Sequence, residues 1–430
     1  MLDQITHRGP AGREIIETPG ATLGLVYSLA DTAAVEDLKE RGVARDGEGR
    51  SRLAEARIAG ERLVLTRDAL GVAPLYMGHT ADGALSFASE VKALGVGSTE
   101  AQELPPGSFF DGQRLQPYFE LAAQDPLQKP PERIAQELHR RLSDAVEASI
   151  GDGEVGSWLS GGLDSSALAA LARPYVDRLH TFAAGLEGAP DLAFAAEVAA
   201  FIGSDHHEVR VTFEDMLSVL PDVIYHLESF DALLVRSSLT NYLVARAAAG
   251  YVPAVFSGEG GDELFAGYEY LKGLDPAGLP AELIDIMGRL HNTALQRVDR
   301  CASAHGTVAH VAFLDPEVVS LALQIPSEFK LQDGVEKWIL RRAMDGALPE
   351  SVLDRTKAKF WEGAGVVDLM AQYAEEKISD ADFLAERVLP NGWVLNSKEE
   401  LLYYRIFREH FGDMDDLLWM GRTKGSPIDE

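Results

Sequence analysis

Ser157-Trp158-Leu159-Ser160-Gly161-Gly162-Leu163-Asp164-Ser165-Ser166 is the stretch on which the fold turns. The short apolar run 155–159, broken by Gly156, predicts a buried strand. It ends at two adjacent glycines, and the Ala/Leu-rich segment 167–171 predicts a helix. A strand, a glycine turn and a helix N-terminus make an anion site, because free backbone N–H groups point outward and the helix dipole favours negative charge. Glycine lets the backbone approach a phosphate closely, and Ser160, Ser165 and Ser166 supply hydroxyl donors. The Gly-x-x-x-x-Gly-Lys-Ser/Thr pattern of the Walker loop is not present here. In isolation the stretch would also suit a glycine turn with a serine-capped helix.

Outward from it, strands and helices alternate. Segments 180–184, 207–211 and 252–256 read as strands, and 191–202 and 216–227 as helices, the first with Asp191 as its expected cap. The 252–256 strand runs into Ser257-Gly258-Glu259-Gly260-Gly261-Asp262-Glu263. Such alternation predicts a parallel sheet with helices on both faces, whose ligands sit beyond the carboxyl ends of the strands. Both glycine motifs follow a strand directly, so both can face one crevice. Beyond about residue 275 the pattern is mainly helical, as at 338–344 and 399–411.

Upstream, Ile134, Leu138, Leu142, Ala145 and Ile150 recur at helical spacing. They follow a proline-rich linker at 121–131. Residues 1–120 are β-rich, with strands expected at 62–66 and 85–89 and turns at 67–76 and 104–110 feeding others. His7 has no paired cysteine or aspartate signal, which leaves it a surface or packing role. The domains expected are thus 1–120, a linker at 121–131, and 132–430.

Composition narrows the function. At 430 residues, 46% hydrophobic and 25% charged, the chain has the make-up of a globular protein of two or three domains. No apolar run of 18 residues and no basic-then-apolar start is found, so neither a membrane span nor a signal peptide is expected and a cytoplasmic location is the default. One cysteine, Cys301, excludes an intramolecular disulfide framework and a cysteine-based zinc site. A net charge of −29 argues against nucleic acid as a partner, and solubility explains it first. A phosphate site in such a chain must be built locally, from backbone N–H groups, Mg²⁺ and a few Lys or Arg.

The opening stretch resembles the SGGxDS signature of pyrophosphate-loop ATP pyrophosphatases, which cut ATP between its α and β phosphates. Several further segments are similar to asparagine synthetases with an N-terminal glutaminase half: 179–186, 257–268, 304–306, 313–315, 336–341 and 348–351. The resemblance covers most of 130–412. It implies an α+β N-terminal domain, a truncated Ntn-glutaminase-like sandwich, followed by an α/β pyrophosphatase domain, adenine nucleotide α-hydrolase-like, with a parallel sheet and a helical C-terminal part. It also implies roles. Ser160, Gly161, Gly162, Leu163, Asp164, Ser165 and Ser166 would grip the pyrophosphate of ATP, with Asp164 and Asp262 on Mg²⁺. Leu159, Ala184, Ser257 and Gly258 would contact AMP. Lys357, with Lys359 close by, matches the family's essential lysine, suited to charge developing on the α-phosphate. Glu259 would handle the incoming amine or bind the amino acid, and Arg236 would bind a carboxylate through its guanidinium fork.

Departures from the family are equally informative. His7-Arg8-Gly9-Pro10, 67–76, 87–90 and 105–107 look like pieces of the glutaminase half, but that half uses a cysteine directly after the initiator methionine, and here Met1-Leu2-Asp3 stands. Its glutamine and oxyanion segment has no counterpart, so glutamine hydrolysis is not expected. A threonine of the family beside Arg236 is Leu233, and the family's Glu-Ala-Arg-Val-Pro-Phe-Leu-Asp is Val308 to Asp315, with His310 for the arginine. The expected function is an ATP-dependent amide-forming ligase joining a small-molecule carboxylate, by default aspartate, to ammonia or another amine. The alternatives are a specialised-metabolite ligase or cyclase resembling β-lactam synthetase and a non-catalytic ATP-binding regulator. A separate glutaminase as partner and a homodimer are both left open.

Overall fold

The computed structural model describes residues 1–18, 20–28, 32–47, 51–60, 62–80, 82–94, 99–150, 154–355, 369–414 and 417–423. Its first strands, β1 (Gly12–Thr18) and β2 (Ala21–Tyr27), form an antiparallel hairpin, followed by α1 (Thr32–Arg41). The sequence reading anticipated neither the hairpin nor this helix. Then come β3 (Val43–Asp46), β4 (Ala54–Ala59), β5 (Arg62–Arg67), β6 (Tyr76–His79), β7 (Leu85–Ala88), β8 (Thr99–Glu103), β9 (Ser108–Phe110) and β10 (Leu115–Pro117). They make an antiparallel sheet of order β10-β9-β5-β4-β3 and a smaller one of order β7-β6-β8. Inward-facing strand residues Leu23, Ala44, Ala56 and Leu65 fill a small core with Leu38 of α1 and Leu75 before β6. The turn after β5 is held by two buried side chains. Asp68 accepts from the N–H groups of Leu70, Val72 and Ala73, and Arg67 donates to the carbonyls of Gly71, Ala73 and Leu104. Buried backbone groups in a turn need such partners.

Helix α2 (Pro131–Ile150) buries Ile134, Leu138, Leu142 and Ala145, the stripe read from the sequence. The second sheet then forms from β11 (Val155–Trp158), β12 (His180–Gly185), β13 (Asp205–Arg210), β14 (Ala254–Phe256) and β15 (Val308–His310), all parallel. Its order is β13-β12-β11-β14-β15. The chain builds outward from β11 to β13, then crosses to β14 on the other side, so the strand order reverses between β11 and β14. Open α/β sheets bind ligands at such a switch point. The strand β15 was missed because Val308-Ala309-His310 is too short to show alternation.

Helices α3 (Leu163–Ala172), α4 (Pro190–Ile202), α5 (Phe213–Leu227) and α6 (Ala232–Ala248) flank the sheet. Thr212 and Asp215 form a capping box on α5. The expected aspartate cap on α4 is corrected: Ala189 is the cap residue without a side-chain bond, and Asp191 instead pairs with Arg355. Further on lie α7 (Gly261–Phe265), α8 (Leu279–Gly288) and α9 (Ala294–Ser303). Helix α9 buries Gln296, Asp299 and Arg300 as well as Leu295 and Val298, because it lies between the two parts of the chain. Arg8 donates to both carboxylate oxygens of Asp299 (2.8 and 3.0 Å), and Arg52 reaches the same group at 2.9 Å. Arg300 lies 2.9 Å from Glu90 and 3.1 Å from Glu228. His7, read as a packing or surface residue, lies 3.0 Å from Glu90 at this seam.

Candidate active site

The register Val155↔Ala254, Ser157↔Phe256 sets the ends of β11 and β14 side by side. The loops that follow, Ser160 to Gly162 and Ser257 to Gly260, therefore leave the sheet together. Gly161 sits at φ 71, and a Cβ there would lie 2.5 Å from the Cβ of Phe194, so the first loop is pressed against α4. A Cβ on Gly261 would lie 2.5 Å from Asp164 Oδ1, so the second loop closes on the first. The Ser257 N–H donates to the His310 carbonyl at 2.9 Å, extending the sheet into the second loop.

Among the described residues no side chain caps the N-terminus of α3, where Gly162 is the cap residue, which leaves its first-turn N–H groups to face an anion. Ser160 and Ser165 knit the loop internally: the Ser160 N–H donates to Ser165 Oγ at 3.2 Å and the Gly162 N–H to Ser160 Oγ at 3.3 Å. Ser165 Oγ in turn lies 3.2 Å from the Gly162 carbonyl. Ser165 thus serves the loop's shape here. Ser166 Oγ is buried with no hydrogen-bond partner among the described residues, a donor left over beside the loop. Leu159 and Ala184 are buried at the strand ends, with Ser257 beside them.

Asp164, on the first turn of α3, and Asp262, on α7, converge on Lys337. The Lys337 ammonium reaches Asp262 Oδ1 at 2.6 Å and also contacts Asp164 Oδ2. Lys337 is buried and sits at φ 56, outside the usual range for a residue with a side chain, just before α10 (Trp338–Ala343). Its N–H donates to the Phe265 carbonyl at 3.1 Å, which fixes the strained residue to the end of α7. The sequence reading quoted Lys337 within 336–341 and gave it no role; a lone lysine before a helix carries no motif.

Glu259 pairs with Arg297 of α9, which also donates to Ser237 Oγ at 3.0 Å. Arg297 was likewise missed, since its place beside Glu259 depends on how α9 packs. Burial, then the Asp262 and Glu259 carboxylates, push Glu263 up to about 7, and the Tyr268 hydroxyl donates to it. Arg236 is held by Glu399 of the last helix (Lys398–Phe411), with Nε 3.0 Å from Oε1 and Nη2 on Oε2; the Tyr403 hydroxyl adds a bond to Glu399 at 2.8 Å. His310 lies under the Phe256 ring, and burial pushes it down to about 4, so it is neutral. Lys357 and Lys359 lie outside the described residues. Arg355, just before them, stacks on Phe194 with 4.0 Å to the ring centre.

Among the described residues no cluster of three or more His, Cys, Asp and Glu is placed to hold a metal. Asp164 and Asp262 could hold a hard cation only together with oxygens of a substrate. That suits Mg²⁺, which binds through one or two carboxylates plus phosphates. The donor set therefore fits a nucleotide-bound Mg²⁺.

The family model for asparagine synthase matches residues 137–283 and 275–424, and that for a glutamine amidotransferase domain matches 32–95. Asparagine synthetase B [glutamine-hydrolyzing] of Escherichia coli (strain K12) is 35% identical over 372 residues, 81% of this chain and 67% of that protein. Asparagine synthetase [glutamine-hydrolyzing] of Sandersonia aurantiaca is 34% identical, covering 84% of this chain and 73% of its own length. For the Asparagus officinalis enzyme the chain spans 63% of the relative. Among solved structures, NMN synthetase from Francisella tularensis aligns with a TM-score of 0.31 and 13% identity over 67% of this chain and 98% of its own, too distant to carry weight. The chain belongs to the asparagine synthase family.

Proposed function

We propose that this chain is an ATP-dependent amide-forming ligase of the asparagine synthetase type. It activates a carboxylate as an acyl-adenylate, releases pyrophosphate, and passes the acyl group to ammonia, with aspartate the first acid to test. The observation that carries this is the convergence of Asp164 and Asp262 on Lys337 at the switch point between β11 and β14. Attack by a carboxylate on the α-phosphorus needs negative charge offset at the phosphates as pyrophosphate leaves, and the acyl-adenylate then gives the amine AMP as a leaving group in place of oxide. The N-terminus of α3 and Ser166 face the first need through N–H and hydroxyl donors. Mg²⁺, when held by Asp164 and Asp262, would neutralise phosphate charge. Lys357 is proposed as a further cation at the α-phosphate, and Leu159, Ala184, Ser257 and Gly258 as the AMP contacts. Glu259, paired with Arg297, is proposed to handle the incoming amine.

Glutamine hydrolysis is not part of the proposal. Cys301 is the one cysteine, and burial pushes its thiol up to about 12, so it is not a thiolate near neutral pH. Ammonia would come from solution or from a separate glutaminase. Among the described residues no helix is long and apolar enough to cross a membrane; a cytoplasmic enzyme, as monomer or homodimer, is the proposed setting. A second reading, a ligase or cyclase resembling β-lactam synthetase, is favoured by one observation: Arg236 already carries a carboxylate of the chain.

The test is pyrophosphate release from ATP and Mg²⁺ with aspartate, supplying ammonium or glutamine in parallel. Release with ammonium and asparagine among the products supports the reading. Release of glutamate from glutamine would overturn its glutaminase part, and ATP binding without turnover on any acid would favour a non-catalytic role.

A further inference from the structure

Arg341 stands on α10, four residues after Lys337, and all three nitrogens of its guanidinium are engaged. Its backbone N–H donates to the Lys337 carbonyl at 3.0 Å, its Nε to the Glu336 carbonyl at 2.9 Å and its Nη2 to Glu336 Oε1 at 2.7 Å. These bonds clasp the turn that carries Lys337 in a left-handed conformation, which a residue with a side chain keeps only where its surroundings fix it. Nη1 reaches the other way, to the carbonyl of Leu353 at the end of the short helix Glu350–Leu353 and to that of Arg355 at 3.1 Å. Arg355 in turn pairs with Asp191 of α4 and lies over Phe194, the residue against which Gly161 of the first glycine loop is pressed. One guanidinium, 12% exposed, thus joins the turn of Lys337, whose ammonium lies on Asp164 and Asp262, to the segment that backs the glycine loop. A rigid fork of donors can hold two backbone segments at once, which the single nitrogen of a lysine cannot.

We infer that Arg341 is a positioning residue for the phosphates of the nucleotide: it sets Lys337 at the Asp164–Asp262 pair and ties that turn to the support of the first glycine loop. This rests on the ligase reading of the crevice. Arg341 acts through the groups it holds and touches no substrate itself. Its influence belongs to the charged pyrophosphate end of ATP, where Lys337 and the glycine loop meet. Among the described residues none of its bonds goes to Leu159, Ala184, Ser257 or Gly258, the contacts proposed for AMP.

The test is equilibrium dialysis of the full chain with Mg²⁺ and either labelled α,β-methylene-ATP or labelled AMP, with no acid or amine present. Wild type should bind both. Arg341→Met should weaken the triphosphate by about tenfold or more and leave AMP within about twofold. An arginine that served folding alone would move both ligands together or neither. Arg341→Lys keeps the charge but not the fork, so it should lose as much, and it carries the test if the Met variant folds poorly. Lys337→Met should show the same split, and combining it with Arg341→Met should cost less than the sum of the two single losses, because one residue acts through the other. Equal losses for both ligands, unchanged binding in the variants, full rescue by lysine or additive losses in the double variant would overturn the inference while wild-type binding leaves the ligase reading standing. A wild type that takes up no triphosphate would overturn both.

Discussion

At the seam between the two parts of the chain, Arg8, Arg52, Lys92 and Arg300 meet Asp46, Glu90, Glu228 and Asp299, four cations against four carboxylates. In the crevice, Lys337 and Arg297 meet Asp164, Glu259, Asp262 and Glu263, two against four among the described residues. Both clusters are largely buried, yet they behave oppositely. At the seam burial pushes Asp299 up, but Arg8 and Arg52 outweigh it and hold the group well below the usual carboxylate range. In the crevice burial and two neighbouring carboxylates act together, and Glu263 rises to about 7. A balanced cluster is structural and joins the two parts of the chain. One with an excess of negative charge is suited to taking up a cation, proposed above to be the Mg²⁺ that accompanies ATP.

Removing one of the excess carboxylates should have the largest effect. Asp262→Asn is expected to cut acid-dependent pyrophosphate release about a thousandfold, ~4 kcal/mol in the barrier, while leaving thermal stability near wild type. A variant that keeps full activity would make the acidic crevice a structural feature only. Upsetting the balanced seam comes next. Arg8→Met leaves Asp299 and Glu90 short of a cation and should cost about 3 kcal/mol in urea unfolding, with kcat per folded molecule little changed. A loss confined to activity would assign the seam to catalysis.

Lys330 is a third case, a buried cation with no carboxylate partner among the described residues; burial pushes it down to about 7. The unfolded chain binds more protons between that value and the ordinary 10.5, so this group's share of stability rises as pH rises through the window. Lys330→Met should therefore stabilise by roughly 1–3 kcal/mol at pH 7 and below, with the gain shrinking toward pH 10. A pH-independent gain would point to packing instead. The smallest effect is expected at Glu263. Its raised value means the folded chain binds the extra proton, so stability falls as pH climbs from 4.5 to about 7 and then levels. Glu263→Gln should remove that slope, about 1 kcal/mol across the window, and Mg²⁺ with ATP should flatten it in wild type. A slope surviving in the variant would locate the titration elsewhere.

The parallel sheet, its two glycine loops and their shared crevice were legible because each signal is local. A buried strand, a glycine break and a helix start lie within about a dozen residues at 155–167. Asp164 and Asp262 were legible for the same reason, each within its glycine motif. Lys337, Arg297 and Glu399 were not, because each reaches the site from a distant element. Lys337 is 173 residues from Asp164, and Glu399 is 163 from Arg236. Their partners are set by tertiary packing, which no spacing pattern reports. The Arg67–Asp68 turn taught the converse: a segment noted for its family likeness proved to be a self-contained hydrogen-bonded unit. Hairpin β1–β2 was missed since its strands bury little, with Leu23 alone fully buried.

The central claim, that a carboxylate attacks the α-phosphorus of ATP in the crevice between β11 and β14, is tested most directly by isotope transfer. A turnover with acid labelled by ¹⁸O in its carboxylate, ATP, Mg²⁺ and ammonium should yield AMP carrying one ¹⁸O, unlabelled pyrophosphate and an amide. Label in inorganic phosphate with ADP as the other product, or AMP without label, would contradict it.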